Sequence, residues 1–227
     1  MKKYKVLLLD VDDTLLDFKA AERNGICEVL RAYGVEPDEE KINRYSRLND
    51  SLWKAFERGE IQRDTIMEVR FGRYFAELGK EVNGPEAEKL YRAQLDASAV
   101  MIDGAQEILD YLSQKYDLYV ITNGVSQTQY HRLKKSGIDK YMKDIFVSED
   151  AGYQKPRKEF FEYCFHRMGN TDVSEMLVIG DSLSSDIRGG NNAGIDTCWF
   201  NRKGASHPED ISVNYEIRHL EELKKIL

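Results

Sequence analysis

Apolar residues along the chain follow two rhythms. The first is a series of short runs, Val6 to Leu9 and residues 117–122, 144–148, 176–181 and 197–201, each closing on small, polar or charged residues. Such runs predict strands buried on both faces of a parallel sheet. Between them, residues 105–115, 127–136, 158–168 and 184–193 carry the period of a helix. This alternation predicts an α/β domain with a parallel sheet and right-handed crossovers. The second rhythm occupies residues 16–98, which hold no buried strand and place apolar residues at i, i+3, i+4 and i+7. There Ile42, Tyr45, Leu48, Leu52, Trp53 and Phe56 would share one helix face, and Gly34, Gly59, Gly79 and Gly84 would punctuate helix ends. The expected organisation is therefore a main domain of residues 1–15 and 99–227, interrupted after its first strand by a helical insert of residues 16–98.

Composition narrows the function classes. With 227 residues, the chain can bury one sizeable core and carry an inserted subdomain. The 32% of charged and 41% of hydrophobic residues are ordinary globular usage. Forty acidic against 33 basic residues give a net charge of -7, which repels a phosphate backbone and speaks against nucleic acid as a partner. Cys27, Cys164 and Cys198 are odd in number and widely separated, without metal spacing, and read as reduced thiols of a cytoplasmic protein. The basic start Met1-Lys2-Lys3-Tyr4-Lys5 is followed by an apolar run that stops at Asp10, too short for a signal peptide or a membrane span, so no membrane partner is expected.

The polar residues at strand ends carry the candidate chemistry. Asp10 and Asp12 are two apart in extended chain, so both carboxylates face one side. Such a pair can act as nucleophile and general acid/base toward a phosphoester, or be an exposed acidic strand end. Thr122-Asn123-Gly124 offers a hydroxyl and backbone N–H groups to a phosphate, with Ser126 and Gln129 as a capping box for the next helix, or is an ordinary turn. Lys155, restrained by Pro156, can neutralise a transferring phosphoryl group, or be a surface lysine. Asp181 and Asp186 in Gly180-Asp181-Ser182-Leu183-Ser184-Ser185-Asp186 are hard oxygen ligands suited to Mg²⁺, or belong to a turn with Ser184 as N-cap. All four groups fall at successive strand ends, where open α/β sheets bind ligands.

This ordered set, Asp10-Val11-Asp12-Asp13-Thr14, Thr122, Lys155-Pro156 and 180–186, resembles the four signature motifs of the haloacid dehalogenase (HAD) superfamily. The resemblance implies a Rossmann-like core with an inserted α-helical cap of the C1 type. It also implies Asp10 as nucleophile and Asp12 as acid/base, with Thr122 and Lys155 as the phosphate clamp beside the turn of Asn123 and Gly124. The metal site would comprise Asp10, Asp181 and the Asp12 main-chain carbonyl, with Asp186 either coordinating through water or holding Lys155 and the metal shell. Many members have glycine where this chain has Asp13.

Within the superfamily, residues 9–18, 49–53, 121–124, 147–156 and 189–199 are similar to the house-cleaning pyrimidine 5′-nucleotidases. That likeness implies a nucleoside monophosphate as the phosphorylated partner; for the chain itself a monomer or weak homodimer is expected. Trp53, with Phe56 and Tyr45, would stack on a base or pack the cap core, and their helical spacing favours packing. Other readings are a phosphatase for sugar phosphates, a haloacid dehalogenase, and a signalling receiver domain. Asp12 and Asp181 favour phosphoryl transfer over dehalogenation, and the position of Asp10 on the first strand speaks against a receiver.

Overall fold

The computed structural model describes residues 4–169 and 172–227, so the first three residues of the basic N-terminus lie outside it. The described chain divides into two compact units, one of Met1–Asp17 with Ala99–Leu227 and one of Phe18–Ser98. The division falls after Asp17, two residues later than the expected start of the insert. Two pairings explain this: Leu16 bridges Met101 antiparallel, and the Asp17 N–H donates to the Val100 carbonyl at 2.9 Å.

The first unit is built on β1 (Val6–Leu9), β2 (Asp117–Thr122), β3 (Asp144–Val147), β4 (Met176–Gly180), β5 (Asp196–Phe200) and β6 (Tyr215–Ile217). All neighbours pair parallel, in the order β3-β2-β1-β4-β5-β6. Alternation along β1 sends Leu7 and Leu9 into one apolar layer with Leu118, Val120, Leu177 and Ile179, and Val6 and Leu8 into another with Ile121, Phe160, Phe161 and Val178. Both layers are covered by helices, which is why the strands read as unbroken apolar runs. The covering elements include α5 (Ala105–Leu112), α6 (Ser126–Ser136), α7 (Ser148–Ala151), α8 (Lys158–Met168) and α9 (Arg188–Ala193). The sixth strand was not expected: it spans three residues and carries a solvent-facing Glu216, too little apolar sequence to signal a strand. The helix expected over 184–193 is split into a π-type turn, Leu183–Ile187, and α9.

The second unit consists of α1 (Phe18–Ala32), α2 (Glu39–Glu57), α3 (Arg63–Glu77) and α4 (Gly84–Ala97). Asp38 caps α2 by accepting from the Lys41 N–H at 2.8 Å, and Asn83 caps α4 by accepting from the Glu86 N–H at 3.2 Å. Gly34, Gly59 and Gly79 stop the preceding helices in left-handed conformations, whereas Gly84 opens α4 instead of ending a helix. The core of the unit is aromatic: Tyr45 stacks on Phe71 and meets Tyr74 and Tyr91 edge-on. No helix of the described residues is long and apolar enough to cross a membrane.

Candidate active site

The pairing of β1 with both β2 and β4 determines which residues meet at the carboxyl edge of the sheet. Asp10 follows β1 and is anchored to β4, its N–H donating to the Ile179 carbonyl at 2.9 Å. Lys155, 1% exposed, arrives from the loop after α7. Its Nζ donates to Asp10 Oδ1 at 2.8 Å, Asp186 Oδ1 at 2.6 Å and the Ile121 carbonyl at 2.8 Å, which uses all three ammonium hydrogens. Burial alone would lower the pKa of this lysine, but Asp10 and Asp186 outweigh it and hold the ammonium above its ordinary range. The Asn123 side chain secures the Lys155 backbone, donating to its carbonyl and accepting from its N–H, both at 2.9 Å. The expectation for Asn123 concerned its backbone N–H; its side-chain amide is committed to placing Lys155.

Asp10, Asp181 and Asp186 bring one carboxylate oxygen each to within 4.8 Å of one another. Asp181 is held by its backbone from two sides: its N–H donates to Thr14 Oγ1 at 3.1 Å, and its carbonyl accepts from Trp199 Nε1 at 2.8 Å. Asp186 lies on the π-type turn, and its Oδ2 accepts from the Ser182 N–H at 3.0 Å. Gly180 makes room for it, because a Cβ there would sit 2.3 Å from Asp186 Oδ2. The N-cap of that turn is Ser182, which accepts from the Ser185 N–H and lies two residues before Ser184, the cap of the alternative reading.

This donor set fits a hard divalent cation. Burial, and then the charge of Asp186, raise the pKa of Asp10, while burial followed by Asp10, Asp186 and Asp13 raises that of Asp181. Three converging carboxylates around one lysine leave a local excess of negative charge that Mg²⁺ would neutralise through the oxygen ligands it prefers. Asp10 and Asp181 are the side chains that would hold it directly, with Asp186, engaged by Lys155 and the Ser182 N–H, in support. The Asp12 side chain is not part of this cluster.

Asp12 Oδ2 accepts from Gln129 Nε2 at 3.0 Å, and its Oδ1 accepts from Arg132 Nη1. Gln129 Nε2 also donates to Thr122 Oγ1 at 2.7 Å, and Gln129 Oε1 accepts from Arg132 at 3.0 Å. The expected capping box of Ser126 and Gln129 therefore does not form. The N-cap of α6 is Val125, Gln129 turns into the unit, and Ser126 Oγ donates to Asp150 at 2.7 Å. Gly124 was expected for its backbone freedom, yet its φ is not positive; the requirement is space, since a Cβ would lie 2.6 Å from Gln129 Cδ. Among the described residues, Asp13 is the non-glycine residue with positive φ, at 60°. A short polar side chain tolerates that region, so the turn keeps the conformation that glycine favours.

Trp53 lies in the helical insert, half-buried, edge-on to Phe56 at 5.7 Å and packed with Leu52 and Ile66. Thr14, Gln129, Arg132 and Trp199 were not singled out for the site. Gln129 and Arg132 had a readable signal, an i,i+3 pair on a helix beginning just after the Thr122 motif. Trp199 had none, because its hydrogen bond crosses from β5 to the loop after β4.

Comparisons with known proteins agree with this geometry. Residues 7–200 match the family model of the haloacid dehalogenase-like hydrolases. The chain is 45% identical over 227 residues to the HAD-hydrolase YfnB of Bacillus subtilis, an alignment covering 100% of this chain and 97% of that protein. A crystal structure of YfnB bound to magnesium superposes with a TM-score of 0.94, covering 100% of this chain and 99% of that one. Pyrimidine 5′-nucleotidase PynA of Streptococcus pneumoniae is 37% identical, with 97% of this chain and 93% of that protein covered. Pyrimidine 5′-nucleotidase YjjG of Escherichia coli is 32% identical, with 99% and 98% covered. The chain belongs to the haloacid dehalogenase-like hydrolases and is an enzyme of that family.

Proposed function

We propose that the chain is a Mg²⁺-dependent phosphomonoester hydrolase that works through an aspartyl-phosphate on Asp10, with a pyrimidine nucleoside 5′-monophosphate as substrate. The observation that carries the chemistry is the buried Asp10 carboxylate, locked to Lys155 and flanked by Asp181 and Asp186. Bound among these carboxylates, Mg²⁺ supplies the positive charge that lets an anionic phosphate approach Asp10.

In the first step an Asp10 carboxylate oxygen attacks phosphorus and the bond to the nucleoside oxygen breaks, while Asp12, as general acid, gives a proton to that oxygen. In the second step a water attacks the phosphorus of the Asp10 acyl phosphate and loses its proton to Asp12. The bond to Asp10 breaks, inorganic phosphate leaves and the starting state returns. Lys155 keeps Asp10 in one rotamer and offsets charge on the transferring group, and the Thr122 hydroxyl stands at the adjacent strand end to bind a phosphate oxygen. The relatives PynA and YjjG, named pyrimidine 5′-nucleotidases and aligned over nearly the whole chain, support the substrate class. YfnB, crystallised with magnesium, supports the metal.

The test is phosphate release from a panel of nucleoside monophosphates and sugar phosphates, with Mg²⁺ and with a chelator. Pyrimidine monophosphates should be hydrolysed with the highest kcat/KM, and chelation should stop turnover until Mg²⁺ is restored. Preference for a sugar phosphate over every pyrimidine monophosphate sinks the substrate assignment, and turnover indifferent to chelation sinks the metal.

A further inference from the structure

We propose that Arg132 and Gln129 are positioning residues for Asp12, holding its carboxylate where the two proton transfers occur and coupling that place to Thr122. This rests on the reading of Asp12 as the acid/base.

Arg132 is among the largest fully buried side chains of the described residues, and burying a guanidinium is costly unless a partner repays the lost hydration. Its partner here is a carboxylate 120 residues away that is itself only partly buried: the Arg132 side chain is 2% exposed and the Asp12 side chain 29%. The donors are thus enclosed by the protein while the acceptor keeps an open side, the arrangement needed for a group that is held by the protein and works on something outside it.

Gln129 extends the link. Its single amide group donates to both Asp12 Oδ2 and Thr122 Oγ1 and accepts from Arg132, so the proposed phosphate-binding hydroxyl and the proposed acid/base share one tether. The local backbone is adapted to it, since Gly124 leaves the space that Gln129 fills. With both Asp12 oxygens engaged by donors from one helix face, the carboxylate cannot rotate freely, and a misplacement of about 1 Å in such a group costs on the order of 10²-fold in rate. A merely structural pin between the loop after β1 and α6 would use the same contacts, so the experiment must separate the two roles.

The test is a double-mutant cycle read as kcat and KM for a nucleoside monophosphate, with Arg132→Met, Asp12→Asn and the pair. Arg132→Met should lower kcat about 10- to 100-fold with KM moving less than about 3-fold. The same change should cost less than about 2-fold once Asp12 is already asparagine. An equal loss in both backgrounds, or a rise in KM with kcat intact, overturns the proposal. Gln129→Met in the same cycle replaces Arg132→Met if that variant does not fold, with the same outcomes decisive. Asp12→Asn alone should slow turnover about 10²- to 10⁴-fold. If it does not, the acid/base reading fails and this inference with it, whereas a slow Asp12→Asn with an undiminished Arg132 effect defeats this inference alone.

Discussion

Each unit of the molecule buries a cation among carboxylates, and the two arrangements differ in their balance. In the insert, Arg70 makes a two-pronged pair with Glu88, both contacts at 2.7 Å, and donates to Asn49 Oδ1 at 3.0 Å. Asn49 in turn donates to Glu22, whose other oxygen accepts from Ser46 and Lys19. Arg92 adds a second cation to Glu88 at 3.0 Å. There the acids and bases answer one another. At the sheet edge of the first unit, Lys155 is paired with Asp10 and Asp186 while Asp181 adds a third carboxylate to the same few ångströms. A closed network of the first kind holds helices in register, whereas an unbalanced one destabilises the empty protein and favours a cation.

The largest expected effect falls on the unbalanced cluster. Asp10→Asn should lower turnover by at least about 10⁴-fold, measured as phosphate release. Its urea midpoint without metal should move less than that of Arg70→Met, because one of three mutually repelling carboxylates is neutralised. Wild-type turnover would end the nucleophile assignment.

Breaking the balanced network should show the converse. Arg70→Met leaves buried Glu88 to Arg92 and takes a donor from Asn49 Oδ1, and should cost about 3 kcal/mol of stability by urea unfolding, the low end for a broken buried pair, while turnover per folded molecule is spared. A stable Arg70→Met protein with lost turnover would erase the distinction between the clusters.

The smallest effect sharpens the comparison within the site. By calorimetric titration, Asp181→Ala should weaken Mg²⁺ binding by more than about 100-fold, beyond the range of a supporting group, and Asp186→Ala by about 10- to 100-fold. The ranking follows from Asp186, whose two oxygens already serve Lys155 and the Ser182 N–H. Equal losses would mean that both residues coordinate directly or that neither does.

Much of the fold was readable because it depends on near neighbours in the chain. A strand covered on both faces must be apolar throughout, so five of the six strands announce themselves, and the three-residue edge strand with Glu216 does not. The insert declared its helices by period, but its buried Asn49, Arg70 and Glu88 look in sequence like any polar positions on a helix. Burial of a charge is decided by its partner, and Arg70 and Glu88 are 18 residues apart on different helices. The same holds for Gln129: its spacing from Ser126 fits a cap, and only the packing of α6 against the sheet edge offers Asp12 and Thr122 as better partners.

What the sequence determined by itself was the alternation of strands and helices, the interruption after the first strand, and the residue types at the strand ends, since backbone period and local chemistry are written in consecutive residues. Tertiary structure decided the partnerships: Lys155 with Asp10 across 145 residues, Arg132 with Asp12 across 120, and the Trp199 indole on the Asp181 carbonyl. Those depend on the strand order β2-β1-β4-β5, which brings distant strand ends side by side at the spacing of hydrogen-bonded neighbours, and no periodicity within a segment encodes which strands will be neighbours.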